Sequence, residues 1–326
     1  IRVKFVTKNP AIRVTETPFS VPIKLARAGL SQVVNHLLNT TAPKPFDFLI
    51  DNTFLRTTLE KYVVTNHLTD EAVLILEYVE AHLEPEESQS QNHPDWISAV
   101  SSFNEYHRRH GLLRWHPPCV CSVGGTARVG QRYDQYFEKS LLCGPQHSII
   151  AWRKLSFIMA RHTAAVLAVA VDPHQAHVLY SGSMDRSIKL WDLTTERCTQ
   201  TMTGSSTLSD ISVSTNGTIL SAHPDNHIRL WDPRAAKAGT TLVQATFSSH
   251  KQWVSAVEWS PSHAHHFVSA GYDGSVKLWD SRSSIPLFTL AAHTGKALDV
   301  AWLPNPKPAF VSGGEDCQLK FYATTA

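Results

Sequence analysis

The sequence predicts a mainly β protein in two parts: a small α+β unit over residues 1–80 and a repeat-built β-propeller over residues 96–326. Three observations carry this. A thirteen-residue phrase recurs four times in the C-terminal half. The segments ahead of each copy alternate apolar and polar residues, the period of a strand with one buried face. The first 80 residues lack the phrase and read instead as strands interleaved with two helices.

The four copies are Tyr180 to Asp192 (YSGSMDRSIKLWD), Leu220 to Asp232 (LSAHPDNHIRLWD), Val268 to Asp280 (VSAGYDGSVKLWD) and Val311 to Ala323 (VSGGEDCQLKFYA). Each has a turn aspartate (Asp185, Asp225, Asp273, Asp316), and six residues later an aromatic, Trp191, Trp231, Trp279 or Tyr322. Four residues before each aspartate stands a serine, Ser181, Ser221, Ser269 or Ser312. In three copies a histidine, His162, His250 or His293, precedes the aspartate by 23 residues. The tryptophans recur at 40 and 48 residues, bracketing the roughly 40 to 45 residues of one WD-repeat blade.

The chemistry of the pattern is structural. The aspartate can hold the histidine in one tautomer, the ring can reach the serine hydroxyl, and that oxygen can accept from the indole N–H. A serine, a histidine and an aspartate invite a catalytic reading, but a catalytic set stands once, in a cleft, with its serine exposed. Here the set recurs and ends on an aromatic. The second copy lacks the histidine, offering only Thr203 to Ser206 in that stretch, so its blade is expected to do without one. The residues just before the turn aspartates (Met184, Pro224, Tyr272, Glu315), together with Trp253 shortly after His250, should project onto one rim and are the candidates for a partner surface; the alternative for Trp253 is packing against the adjacent blade.

In the N-terminal part, Arg2 to Thr7 and Arg13 to Thr15 read as strands joined by a turn at Asn9-Pro10. Lys24 to Leu38 has helical apolar spacing. A strand at Phe46 to Ile50, a turn at Asp51-Asn52, a helix at Thr58 to Val64 and a strand at Val73 to Tyr78 complete a ubiquitin-like β-grasp order. Residues 81–95 have acidic and polar linker composition.

The phrases Pro22-Ile23-Lys24-Leu25, Gly29-Leu30-Ser31, Val34-Asn35-His36-Leu37-Leu38 and Pro45-Phe46-Asp47-Phe48-Leu49-Ile50, then Leu55-Arg56-Thr57, resemble the ubiquitin-like NLE-type domain of the WD repeat-containing protein 12 family, the WD-repeat subunit of the PeBoW complex. Asp95-Trp96-Ile97 resembles the start of that family's propeller. The resemblance implies a seven-bladed propeller and a non-enzymatic assembly factor of the large (60S) ribosomal subunit and its pre-rRNA, in the nucleus, nucleolus and nucleoplasm. It implies a Bop-type propeller partner, a pescadillo-type protein, the pre-60S particle, and removal by the AAA ATPase midasin. In that family an acidic residue before the last strand of the ubiquitin-like domain completes the metal shell of the ATPase's adhesion site. By position this is Glu71, with Asp70 beside it; the Mg²⁺ belongs to the partner, and no cofactor or metal of the chain's own is expected. A carboxylate oxygen suits such a hard ion. The alternative function is a ubiquitin-system adaptor whose propeller holds a substrate; that reading requires an apolar patch on the sheet face of the small domain.

Composition limits the rest. Thirty basic and 28 acidic side chains give a formal charge of +2, so no global field draws the chain to nucleic acid or membrane. Five cysteines, an odd number without a dense framework, fit a reducing compartment. Nothing from Ile1 to Val6 reads as a signal peptide, and no segment has the roughly 18 apolar residues of a membrane span. The expectation is a soluble intracellular protein. No Gly-rich phosphate loop or exposed nucleophile with a unique base is present, which argues against an enzyme. Residues 101–160 break the repeat. They crowd His107, His110, His116, Cys119 and Cys121 together without the spacing of a usual zinc site, and the basic pairs Arg108-Arg109 and Arg153-Lys154 read as solvated surface. The length after Trp96 provides roughly five to six blades at 40 to 45 residues each.

Overall fold

The computed structural model describes residues 1–39, 42–67, 73–100, 161–175, 177–235, 242–303 and 308–324. They fall into two compact units, Ile1–Leu83 and Glu84–Ala326.

The first unit runs β1 (Arg2–Val6), a 3-10 turn at Pro10–Ile12, β2 (Phe19–Ser20), α1 (Arg27–Leu38), β3 (Phe46–Ile50), β4 (Thr53–Phe54), α2 (Leu59–Thr65) and β5 (Val73–Glu80). Its sheet has the order β2-β1-β5-β3-β4, with β1 and β5 parallel at the centre. Alternation buries Val3 and Phe5 of β1 with Leu74, Leu76 and Tyr78 of β5, and these pack with Leu30 and Val34 of α1. Each such side chain contributes about 1.5–3 kcal/mol by leaving water. Asn39 ends α1 in the left-handed region (φ 54) and donates its N–H to the His36 carbonyl. Thr58 caps α2 by accepting the Lys61 N–H. Asp51 and Asn52 both have positive φ (49 and 62), as a two-residue hairpin turn between β3 and β4 requires.

Two boundaries differ from the sequence reading. Arg13 to Thr15 is not a strand: the Val14 N–H donates to the Tyr78 hydroxyl at 3.0 Å instead of joining a ladder, and Phe19–Ser20 pairs with β1 in its place. The first helix begins at Arg27, because the carbonyls of Ile23 and Leu25 accept the N–H groups of Glu60 and Leu59 at the start of α2.

The second unit opens with β6 (Glu86–Asn92), and its described residues form four antiparallel four-stranded sheets. The first is β7 (Val166–Val171), β8 (Val178–Ser183), β9 (Ser187–Asp192) and β10 (Arg197–Thr203). The second is β11 (Asp210–Val213), β12 (Ile219–Ala222), β13 (His227–Trp231) and β14 (Val243–Ser248). The third is β15 (Val254–Trp259), β16 (His266–Gly271), β17 (Ser275–Asp280) and β18 (Phe288–Ala291). The fourth is β19 (Ala297–Leu303), β20 (Ala309–Gly314) and β21 (Gln318–Ala323), completed by β6 on β21.

That last pairing corrects the linker assigned to 81–95. Glu86–Asn92 is polar throughout, yet β21 presents an unpaired edge, and backbone groups need partners whatever the side chains are. The chain then lays Ile97 and Val100 onto Val311 and Leu319 of the same sheet.

The first strands of neighbouring sheets are stitched together by side chains. Asp210 accepts the Val257 N–H at 3.0 Å, Ser212 the Trp259 N–H at 3.1 Å, and Glu258 the Trp302 N–H. Asp299 accepts the Val100 N–H at 2.7 Å. Asp210 and Asp299 occupy equivalent places, so Val100 stands to the fourth sheet as Val257 stands to the second.

Candidate functional site

Each sheet of the second unit carries its network between the second and third strands. In the first, the His162 Nδ1 lies 2.8 Å from Asp185 and its Nε2 2.7 Å from the Ser181 hydroxyl, to which Trp191 Nε1 donates at 2.7 Å. In the third, His250 lies 3.2 Å from Asp273 and 2.7 Å from Ser269, and Trp279 donates to Ser269 at 2.9 Å. In the fourth, His293 lies 2.9 Å from Asp316 and 2.8 Å from Ser312. Tyr322 takes the aromatic place there and stacks on Phe310 at 5.0 Å.

Burial alone would raise the Asp273 carboxyl, but hydrogen bonds from His250, the Lys251 N–H and Ser275 outweigh it and hold the group well below the usual carboxylate range. Burial pulls the His250 imidazole down, against the pull of Asp273, which keeps it neutral. With Nδ1–H donated to the aspartate, Nε2 accepts the serine proton and the serine oxygen accepts the indole N–H. Every group is used. Ser269 and Ser312 have no exposed surface, and the remaining side of the Ser269 oxygen is occupied by the Trp279 indole rather than open to a substrate. The networks are structural and cannot perform acyl transfer.

The second sheet overturns the reading that its repeat does without a histidine. His223 supplies the ring from inside the repeat: its Nε2 is 2.6 Å from the Ser221 hydroxyl and its Nδ1 2.7 Å from the Thr207 carbonyl, while Trp231 donates to Ser221 at 2.7 Å. The space explains the exchange. His223 stands two residues after the serine, where the third and fourth sheets have Gly271 and Gly314, and a Cβ at those glycines would come within 2.6 Å of His250 and 2.5 Å of His293. A large side chain there and a ring arriving from upstream compete for one volume, and the first sheet, which keeps His162, has only the small Ser183 at that place. Asp225, expected in the network, instead takes Arg229 at 2.6 Å.

The rim residues are largely where the offsets place them. Trp253 is 53% exposed, not packed into a neighbouring blade, and stacks on Tyr272 with ring centroids 5.6 Å apart. The Lys296 ammonium sits 5.4 Å from the centre of the Tyr272 ring and 3.4 Å from the Glu315 carboxylate. Lys296 occupies in the fourth sheet the place of Trp253 in the third, since the Tyr272 N–H donates to the Trp253 carbonyl and the Glu315 N–H to that of Lys296. Met184, in the equivalent turn of the first sheet, is 49% exposed, and Pro224 is partly exposed. Sequence reasoning missed Lys296, and it missed Trp96, 56% exposed, although the phrase Trp96-Ile97-Ser98-Ala99-Val100 repeats Trp253-Val254-Ser255-Ala256-Val257.

Asp70 and Glu71 lie in 68–72, outside the described residues, as do the histidines, cysteines and basic pairs of 101–160. Among the described residues no group of three or more His, Cys, Asp or Glu could hold a metal ion.

The repeated sheets and their buried networks define a WD-repeat protein with an additional N-terminal domain. The family model for the WD domain, G-beta repeat, matches residues 153–192, 196–232, 242–280 and 284–322, and that for the NLE (NUC135) domain matches residues 1–63. A ribosome biogenesis protein WDR12 homolog of Chlamydomonas reinhardtii is 31% identical, covering 99% of this chain and 97% of its own. The homolog of Dictyostelium discoideum is 30% identical over 99% and 94%. Ribosome biogenesis protein YTM1 of Meyerozyma guilliermondii is 28% identical over 99% and 95%. The chain belongs to this WDR12/YTM1 family. The Chlamydomonas alignment spans 432 residues against the 326 here, so the relative has stretches without a counterpart in this chain.

Proposed function

We propose that the protein is a scaffold for assembly of the large ribosomal subunit, acting in the nucleus and nucleolus. Its propeller unit binds a Bop-type propeller protein within a complex that includes a pescadillo-type protein. Its N-terminal unit presents Glu71 to the adhesion site of midasin, which removes the factor from the pre-60S particle. The observation that carries this reading is similarity along the whole chain, N-terminal unit included, to proteins named for ribosome biogenesis. The parallel pairing of first and last strands in the order β2-β1-β5-β3-β4 supports a β-grasp assignment for that unit. The stacked Trp253–Tyr272 pair and the Lys296–Glu315 pair beside it support a protein-binding rim, because large aromatics are the usual energetic anchors of interfaces.

One observation favours the ubiquitin-system alternative. Val73 and Ile75 are 43% and 59% exposed on β5, beside Arg2 and Lys4 of β1, so the sheet face carries an apolar strip. Affinity purification of the full chain from nuclear extract separates the two. Pre-ribosomal particles are the expected companions; ubiquitin ligase or proteasome components without ribosomal precursors would overturn the scaffold reading.

A further inference from the structure

Among the described residues, three of the four outer strands carry a buried apolar plug at one register position. Met202 of β10 lies opposite Ile188, Phe247 of β14 opposite Ile228, and Leu290 of β18 opposite Val276. Their exposures are 0%, 2% and 9%. On β21 the equivalent residue is Leu319, itself buried, and opposite it on β6 stands Gln91, exposed. Two residues along, where β18 sets Phe288 against Leu278, β6 sets Gln89 against Phe321.

The ladder itself is not short: β6 pairs from Glu86 opposite Ala323 to Asn92 opposite Gln318, longer than β18 on β17. What β6 lacks is the hydrophobic part of the attachment, since all of its residues are exposed. Its side chains contribute a hydrogen bond from the Ser88 hydroxyl to the Phe321 carbonyl (3.2 Å) and the Glu87–Lys320 pair at 3.5 Å. An ion pair of that exposure adds little.

Chain connectivity gives this weakness a direction. The last strand of the N-terminal unit ends at Glu80 and β6 begins at Glu86, so any tension on that unit reaches β6 through residues 81–85. The load arrives at the Glu86–Ala323 end of the ladder. Hydrogen bonds loaded from one end give way in succession instead of sharing the force.

We propose that β6 is a tension-sensitive latch, the first of the described outer strands to leave the propeller unit when the N-terminal unit is pulled. Its departure bares the edge of β21 and frees Ile97 and Val100 from the fourth sheet, loosening the unit as it is extracted. The detachable strand stands on the packing alone; its use in extraction rests on the removal reading given above.

The test is amide hydrogen exchange on the full chain. Residues 86–92 should exchange at least tenfold faster than 243–248 of β14, in keeping with sub-global opening of a weakly packed strand. Gln91→Leu restores the plug and should slow exchange in β6 about tenfold, the worth of burying one such side chain, with β14 unchanged. Gln91→Met serves the same purpose with a more adaptable side chain. Equal protection of β6 and β14 in the parent, or no slowing in either variant, overturns the latch. In a reconstituted extraction from pre-60S particles, Gln91→Leu should bind the ATPase's adhesion domain normally and leave more slowly. Slowed exchange with unchanged extraction overturns the link to removal and leaves the latch standing, whereas failure of the parent to be extracted counts against the removal reading itself.

Discussion

His223 Nε2 lies 2.6 Å from the Ser221 hydroxyl, in the relation that His250 Nε2, at 2.7 Å, holds to Ser269. One ring arrives from within its own repeat and the other from 23 residues ahead of the turn aspartate, yet each leaves a serine oxygen free to accept an indole proton. The network conserves a ring position, not a sequence offset. The carboxylate made redundant in the second sheet, Asp225, is partly exposed and bound to Arg229.

This exchange predicts a pH signature. Burial pulls the His223 imidazole down to about 4, against the hydrogen bond to the Thr207 carbonyl. The folded value lies below the unfolded one, so the stabilisation is full above about pH 6.5 and is lost as pH falls toward 4. Over that window the unfolded state binds a proton that the folded state refuses, a loss of about 3 kcal/mol for this group. Urea unfolding at pH 7.5, 6 and 5 should show a shallower decline in His223→Gln than in the parent; parallel curves would mean that His223 is not held neutral.

The two turn aspartates should then differ in weight. Asp273→Ala removes the carboxylate that orients His250 and accepts the Lys251 N–H, costing about 1–3 kcal/mol. Asp225→Ala removes a partly exposed partner of Arg229 and should cost under about 1 kcal/mol. Thermal or chemical denaturation of the two variants checks this, and equal losses would contradict the division of roles.

The rim makes a prediction about binding. Trp253→Ala removes a ring that is more than half exposed and stacks on Tyr272, so the fold should persist while affinity for the propeller partner falls at least about 30-fold, the cost of losing an interface anchor. Lys296→Ala should weaken binding less, because its charge is already matched by Glu315. Calorimetric titration of folded variants measures both; an unchanged Trp253→Ala affinity removes this rim from the interface.

Residues differ in how openly the sequence announces them. The turn aspartates, serines and tryptophans were legible because sheet geometry fixes their spacing, and the rim followed from the same offsets. His223 was not legible, since what selects it is the volume left by the residue two after the serine, a property of packing that no spacing reports. Nor was β6: Glu-Glu-Ser-Gln-Ser-Gln-Asn has neither alternation nor β-branched residues, and it becomes a strand because β21 offers an edge. The second strand of the N-terminal unit was misplaced because Val14 is buried, as in a strand, while its N–H serves Tyr78.

The proposed function stands on Glu71. If its carboxylate completes the coordination of a divalent ion held by the ATPase, Glu71→Gln keeps the shape and removes the charge, and Glu71→Asp shortens the reach by one methylene. Both should impair capture, because a hard cation binds a charged oxygen far better than an amide and tolerates little displacement. Folding should shift by no more than about 0.5 kcal/mol, because a side chain that reaches a metal held by a partner has to stand at the surface. The propeller partner should bind as before, since the second unit is compact in its own right. The expected phenotype is therefore a dominant block in which the factor joins pre-ribosomes and cannot leave. A pull-down of full-length protein with the ATPase's adhesion domain, with Mg²⁺ or with EDTA, provides the measurement. Loss of binding in EDTA and in Glu71→Gln supports the role; binding that ignores the metal, or full binding by Glu71→Gln while Asp70→Asn abolishes it, overturns the assignment of Glu71 as the ligand.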